Sequence, residues 1–213
     1  MQYPTISEYV KASQDAGDNL DMSTEATNAE LNEANTDEFG VKYSKDGRKL
    51  LKAPQNLDGT YSIKKGVMII CDNAFEGCTS LSSLVIPDSV TSIGIGAFEY
   101  CSALSSLVIP DGVTSIGGYA FVYCKSLGSL VIPDGVTSIG DSTFVNCKSL
   151  GSLVIPDGVT SIGDSTFSDC RSLSEIVIPS SITSIGDKAF QFCNFPNDLK
   201  QELISRFGEK IFG

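Results

Sequence analysis

The chain has 213 residues, 41% of them hydrophobic, with a net charge of −11 and no histidine. The missing histidine removes the commonest general base, the Ser–His and Cys–His nucleophile pairs, and most zinc and iron sites. No apolar run approaches the ~20 residues that span a bilayer, and without a basic stripe nucleic acid and anionic membrane surfaces are disfavoured as partners.

Residues 1–38 form an acidic leader, with nine carboxylates (Glu8, Asp15, Asp18, Asp21, Glu25, Glu30, Glu33, Asp37, Glu38) against Lys11 alone. No basic segment followed by an apolar stretch opens it, so the chain as written is expected in the cytosol, with the cell surface as the alternative for a trimmed chain. Thr5-Ile-Ser-Glu8 fits a capping box that predicts a short helix to about Ala16, where Gly17 stops it. A second box, Thr27 to Glu30, predicts a helix to about Asn35. In residues 39–57, Phe39, Val41 and Tyr43 alternate with polar residues, and Lys45-Asp46-Gly47 precedes Arg48–Ala53. This pattern predicts a β-hairpin that caps the repeats beginning at residue 58.

Over residues 58–195 a block of 23 residues recurs. Full copies begin at Leu81, Leu104, Leu127, Leu150 and Leu173, each close to LxSLVIPDGVTSIGxxxFxxCxS, and Asp58–Ser80 is a degenerate first copy. A fixed period of this length predicts a solenoid whose units bury their apolar faces against their neighbours. Ser106–Ile109 reads as a short strand with Leu107 and Ile109 on one side, Pro110 ends it, and Asp111-Gly112 turns the chain. Ile116-Gly117 then leads into a half-turn carrying Ala120, Phe121 and Cys124. Stacking at about 4.8 Å per coil aligns a phenylalanine spine (Phe75 to Phe190) and a cysteine column (Cys78 to Cys193). In residues 196–213, Pro196 opens a helix of about Asn197–Phe207 with Gly208 at its end.

The cysteines read as small buried hydrophobes, because neither histidine nor CxxC spacing accompanies them; Cys71, off the column, fits a reducing compartment. Asp88, Asp111, Asp134 and Asp157 read as Asx-turn residues rather than a calcium comb. Thr91-Ser92 and its copies stack as hydroxyl rows. The strand's outward positions are nearly uniform rows of Ser and Val, interrupted by Glu175. Variation is confined to the pairs after each Ile-Gly and each Phe. There Tyr100, Tyr119 and Tyr123 group, beside a basic row of Lys125, Lys148 and Arg171, and aromatic and Arg residues commonly anchor protein interfaces. These six are the candidate partner-binding residues; no catalytic, cofactor-binding or metal residue is assigned, since no nucleophile, phosphate or dinucleotide motif appears.

Over residues 58–195 the pattern LxxLxIPxxVxxIxxxAFxxCxx resembles the BspA-like, Treponema pallidum type leucine-rich repeat, with Pro after the strand, the Ala-Phe pair and the Cys all in register. Thr143 and Thr166 depart from it by replacing Ala. The resemblance implies a right-handed α/β solenoid of short parallel strands, with six coils, an N-terminal hairpin cap and a C-terminal helical cap. It further implies a monomeric, non-catalytic protein-interaction scaffold without cofactors, or a surface adhesin or host-protein-binding fragment of the same fold.

Overall fold

The computed structural model describes residues 21–213; the helix expected at Thr5–Ala16 lies outside them. The Thr27 capping box forms, with Thr27 Oγ1 accepting from the Glu30 N–H at 3.2 Å and Glu30 Oε2 accepting from the Thr27 N–H at 2.9 Å. The helix it opens, α1 (Asn28–Asn32), stops short of Asn35. Residues Asn35–Thr36 instead form strand β1, antiparallel to β2 (Lys42–Tyr43), which pairs antiparallel with β3 (Lys49–Lys52). Ladder hydrogen bonds outcompete the last helical turn, which buries no residue.

The described part of the leader is tied to the hairpin and the first coil at three levels. Ala26, Leu31 and Ala34 pack on the core, and the Asp72 N–H donates to Thr24 O at 2.8 Å. The Lys49 ammonium, nearly all buried, meets Asp21 Oδ2 at 2.6 Å and Glu30 Oε1 at 3.1 Å. A buried ammonium needs such partners, since losing them leaves an uncompensated charge. The Lys49 hydrogen bond holds the Asp21 carboxyl below its usual range. Burial raises Glu30, but the Thr27 N–H and Lys49 outweigh it and hold this carboxyl low as well.

Each coil then contributes two strands. In chain order they are β4 (Asp58–Ser62) and β5 (Ile69–Ile70), β6 (Ser80–Val85) and β7 (Ser92–Ile93), β8 (Ser106–Val108) and β9 (Ser115–Ile116), β10 (Ser129–Val131) and β11 (Ser138–Ile139), β12 (Ser152–Val154) and β13 (Ser161–Ile162), β14 (Glu175–Val177) and β15 (Ser184–Ile185). Strands of successive coils pair in parallel at the repeat spacing, as in Leu107 with Leu130 and Ile93 with Ile116, save that no ladder joins β9 to β11 or β10 to β12. Like residues therefore stack. All six spine phenylalanines are fully buried, with successive ring centroids 5.4, 5.2, 5.3, 5.4 and 5.6 Å apart.

The seven cysteines are free and buried. From Cys101 to Cys193 each column thiol donates to the phenylalanine carbonyl of the preceding coil, as Cys147 Sγ does to Phe121 O at 3.2 Å. Burial pushes their pKa up, to about 12 at Cys124, so they are poor thiolates. Thr143 and Thr166 keep the place of alanine because their buried hydroxyls donate to Gly140 O and Gly163 O, each at 2.8 Å.

One local expectation fails. The post-proline turns close through backbone, Val113 N–H to Pro110 O at 3.0 Å, with its copies alike. No described hydrogen bond reaches the Asp88, Asp111, Asp134 or Asp157 carboxylate, so these are not Asx turns. Each aspartate occupies the second position of a backbone turn and points to solvent.

At the far end, helix α2 (Asn197–Phe207) has the expected bounds, with Gly208 at φ +86°. The 3₁₀ turn Glu209–Ile211 replaces the next coil: Lys188 N–H donates to Lys210 O at 2.7 Å and Phe190 N–H to Ile211 O at 2.8 Å. Phe195 and Phe212 close the spine against the Phe190 ring.

Candidate functional site

Two surfaces stand out from this framework. On the first, strand alternation sends Leu84, Leu107, Leu130, Leu153 and Ile176 inward and the intervening valines out. Val85, Val108, Val131, Val154 and Val177 form a ladder that is 54%, 77%, 74%, 64% and 60% exposed. Beside it run Ser83, Ser106, Ser129, Ser152 and Glu175, so the face carries one charge over five coils. A contiguous apolar ladder in solvent, on a chain with ample charge elsewhere, is the kind of patch that marks interaction sites.

The second surface holds the six residues singled out from the sequence, and the structure brings them together only in part. Tyr100 and Tyr123 stack, with ring centroids 4.9 Å apart and 13° between planes, and Lys125 Nζ lies 5.5 Å from the Tyr123 centroid. Tyr119 makes no ring contact with either, because it sits on a neighbouring column of the coil. Lys148 and Arg171 are not free cations: both reach Asp169, at 3.9 and 2.6 Å.

A feature of this surface escapes sequence reading. Two positions per coil adopt positive φ, and the three tyrosines occupy such positions, at φ 60°, 61° and 60°. Gly77, Gly96, Asn73 and Asn146 fill equivalent positions in other coils, and these residue types tolerate that backbone. A tyrosine there costs on the order of 1 kcal/mol. Ser142, Ser165, Asp169, Lys188 and Phe192 occupy the same positions in the last three coils, so residue type alone does not announce this backbone.

The hydroxyl and acidic rows hydrogen-bond from coil to coil at the surface. Thr114, Thr160 and Thr183 Oγ1 donate to the preceding coil's threonine carbonyl at 3.4, 3.3 and 3.1 Å. Asp141 and Asp164 Oδ1 accept the Asp164 and Asp187 N–H, each at 2.8 Å. Among the described residues no group of His, Cys, Asp and Glu is arranged to hold a metal ion, and no helix is long and apolar enough to cross a membrane.

This arrangement of coils matches a known repeat. The BspA type leucine rich repeat region model fits residues 68–197 in six copies. The chain belongs to the BspA-type leucine-rich repeat family. No curated protein sequence matches it, but solved structures of leucine-rich repeat proteins do. The T. pallidum Leucine Rich Repeat protein is 25% identical with TM-score 0.62, over 85% of this chain and 95% of that one. Leucine-rich repeat proteins from Bacteroides ovatus and Eubacterium ventriosum are 28% and 27% identical, with TM-scores 0.58 and 0.59, over 76% and 78% of this chain. The alignments cover 48% and 52% of those two proteins, so this chain spans about half their length.

Proposed function

We propose that this BspA-type repeat is a non-catalytic scaffold that binds another protein across its strand face. The valine ladder forms the dry centre of the contact. The observation that carries this reading is the ladder itself: five valines largely in solvent, with one charge beside them. Charge-depleted apolar centres ringed by polar residues are the usual anatomy of protein interfaces, and solenoids offer extended surfaces for them. The partner fitting this face presents a flat, apolar, uncharged surface of its own.

The test is affinity capture with Val108→Lys, Val131→Lys and Val154→Lys combined. These side chains touch solvent, so folding is expected to change little, within about 0.5 kcal/mol per site, and native circular dichroism serves as the control. Capture of the wild-type partners is expected to fall at least about tenfold, the effect of placing unpaired charge in a dry contact. An unchanged set of partners at unchanged yield would remove the strand face as the site.

A further inference from the structure

Along the second strand of the repeat, the coils do not hold one another equally. The Thr114, Thr160 and Thr183 N–H donate to the preceding coil's threonine carbonyl at 2.9, 3.0 and 2.9 Å. The Gly94, Gly117, Gly163 and Gly186 N–H donate likewise to the preceding isoleucine carbonyl, at 2.8, 2.9, 2.8 and 2.9 Å. Between coil 3 (104–126) and coil 4 (127–149) these bonds are missing. Among the described residues neither the Thr137 N–H nor its hydroxyl reaches Thr114 O, and the Gly140 N–H does not reach Ile116 O. The glycines measure the same opening. A Cβ on Gly94, Gly117, Gly163 or Gly186 would lie 2.5, 2.6, 2.6 or 2.4 Å from the facing nitrogen of the coil before, but on Gly140 it lies 3.1 Å from Gly118 N.

Local sequence accounts for the gap. Two places after each strand's isoleucine stand Asp72, Ile95, Gly118, Asp141, Asp164 and Asp187 in turn. Asp72 Oδ1 accepts the Ile95 N–H at 2.7 Å, and Asp141 and Asp164 do the same for the next coil at 2.8 Å. Gly118 offers Asp141 no carboxylate, and with Gly117 it forms a glycine pair that no other coil has there; glycine backbone is the least restrained. Ile95 lacks a carboxylate too, yet its interface still pairs through Thr114 and Gly117, so the missing side chain and the glycine pair act together.

The valine sheet is interrupted one interface later. No ladder joins β10 to β12, and the Gly151 N–H reaches Gly128 O only at 3.4 Å, against 3.1 and 3.2 Å for its neighbours Gly128 and Ser174. Coil 4 is therefore gripped by coil 3 through β8–β10 and by coil 5 through β11–β13, one sheet each way. Its remaining side is continuous. Phe121 N–H donates to Thr143 O at 2.9 Å and Phe144 N–H to Thr166 O at 2.8 Å, and the ring stack does not widen. We propose that coil 4 is a hinge, about which coils 1–3 and coils 5–6 move as two bodies with the phenylalanine spine as pivot. A hinge concentrates the backbone change in a few positions, here Gly117-Gly118 and the open strand edges. It divides the valine ladder between Val131 and Val154, so the strand face changes curvature as the halves move. The hinge does not depend on what binds that face.

Nitroxide labels on Ser80→Cys and Ser172→Cys, exposed positions on either side of coil 4, report the motion by pulsed dipolar spectroscopy on the full chain. The native thiols are buried and take no label. A broad or two-peaked distance distribution is expected. Gly118→Asp supplies the missing acceptor and removes the glycine pair. It should protect the Asp141 amide from hydrogen exchange about tenfold or more and collapse the distribution to one narrow peak. Asp141→Gly creates a second glycine pair and frees the Asp164 N–H, so it should broaden the distribution further. A narrow distribution in the otherwise native chain overturns the proposal, as does a width that neither substitution changes. An Asp141 amide that gains no protection overturns it also, because a gap that a carboxylate cannot close is a fixed break and not a hinge.

Discussion

Replacing Phe144 by alanine is expected to destabilise the chain by about 3–5 kcal/mol, the range of buried Phe-to-Ala cavities. The ring is fully buried and lies between Phe121 at 5.3 Å and Phe167 at 5.4 Å, nearly parallel to both. Collapse into the void is hindered from both sides, because each neighbouring coil is held by ladders of its own: Phe121 N–H to Thr143 O at 2.9 Å and Phe144 N–H to Thr166 O at 2.8 Å. A solenoid is stabilised mainly between nearest neighbours, so a cavity at mid-array weakens two interfaces at once. Urea denaturation should show a lower midpoint. A loss below about 1 kcal/mol would mean that this column is not core.

Gly163→Ala should have the second-largest effect, with the opposite sign to that usual for its class. Gly-to-Ala at a compatible site stabilises by about 0.4–1 kcal/mol through the unfolded chain. Here a Cβ would lie 2.6 Å from Asp141 N and 2.8 Å from Gly140 C, and against Asp141 Oδ1. Those atoms cannot yield easily, since Asp141 Oδ1 already holds the Asp164 N–H. The two coils must separate locally, at a cost of about 2–3 kcal/mol, the range of overpacked cores. Gly151→Ala is the control, with no atom within 4 Å of its Cβ position. Thermal melting should lower Tm for the first and leave the second unchanged or slightly raised. Equal shifts would contradict the close coil-to-coil approach at Gly163.

How far these features were legible in the sequence depends on how local their causes are. The phenylalanine and cysteine columns follow from the period alone, because a fixed repeat stacks like residues whatever the details of each turn. Helix α2 was legible to its bounds from Pro196 and Gly208, which act on their own backbone. The outward valines are legible too, by strand alternation, although a row that is the same in every coil carries no mark of a partner. What was not legible is tertiary or conformational. Lys49 finds Asp21 and Glu30 across a fold, and nothing local announces that pairing. The left-handed backbone at Tyr100, Tyr119 and Tyr123 contradicts the preference of tyrosine itself. The Asp–Gly turns defeat an argument from residue type because the Val113 N–H donates to the Pro110 carbonyl rather than to the Asp111 carboxylate.

That the constant positions of the repeat face inward, leaving specificity to the exposed faces, is tested most directly by thiol titration. All seven cysteines belong to the buried core, none more than 7% exposed. In native buffer a thiol-reactive chromophore should label none of them within minutes, and after denaturation it should label all seven. Rapid native labelling of several cysteines would place the column on the surface and turn the coil inside out.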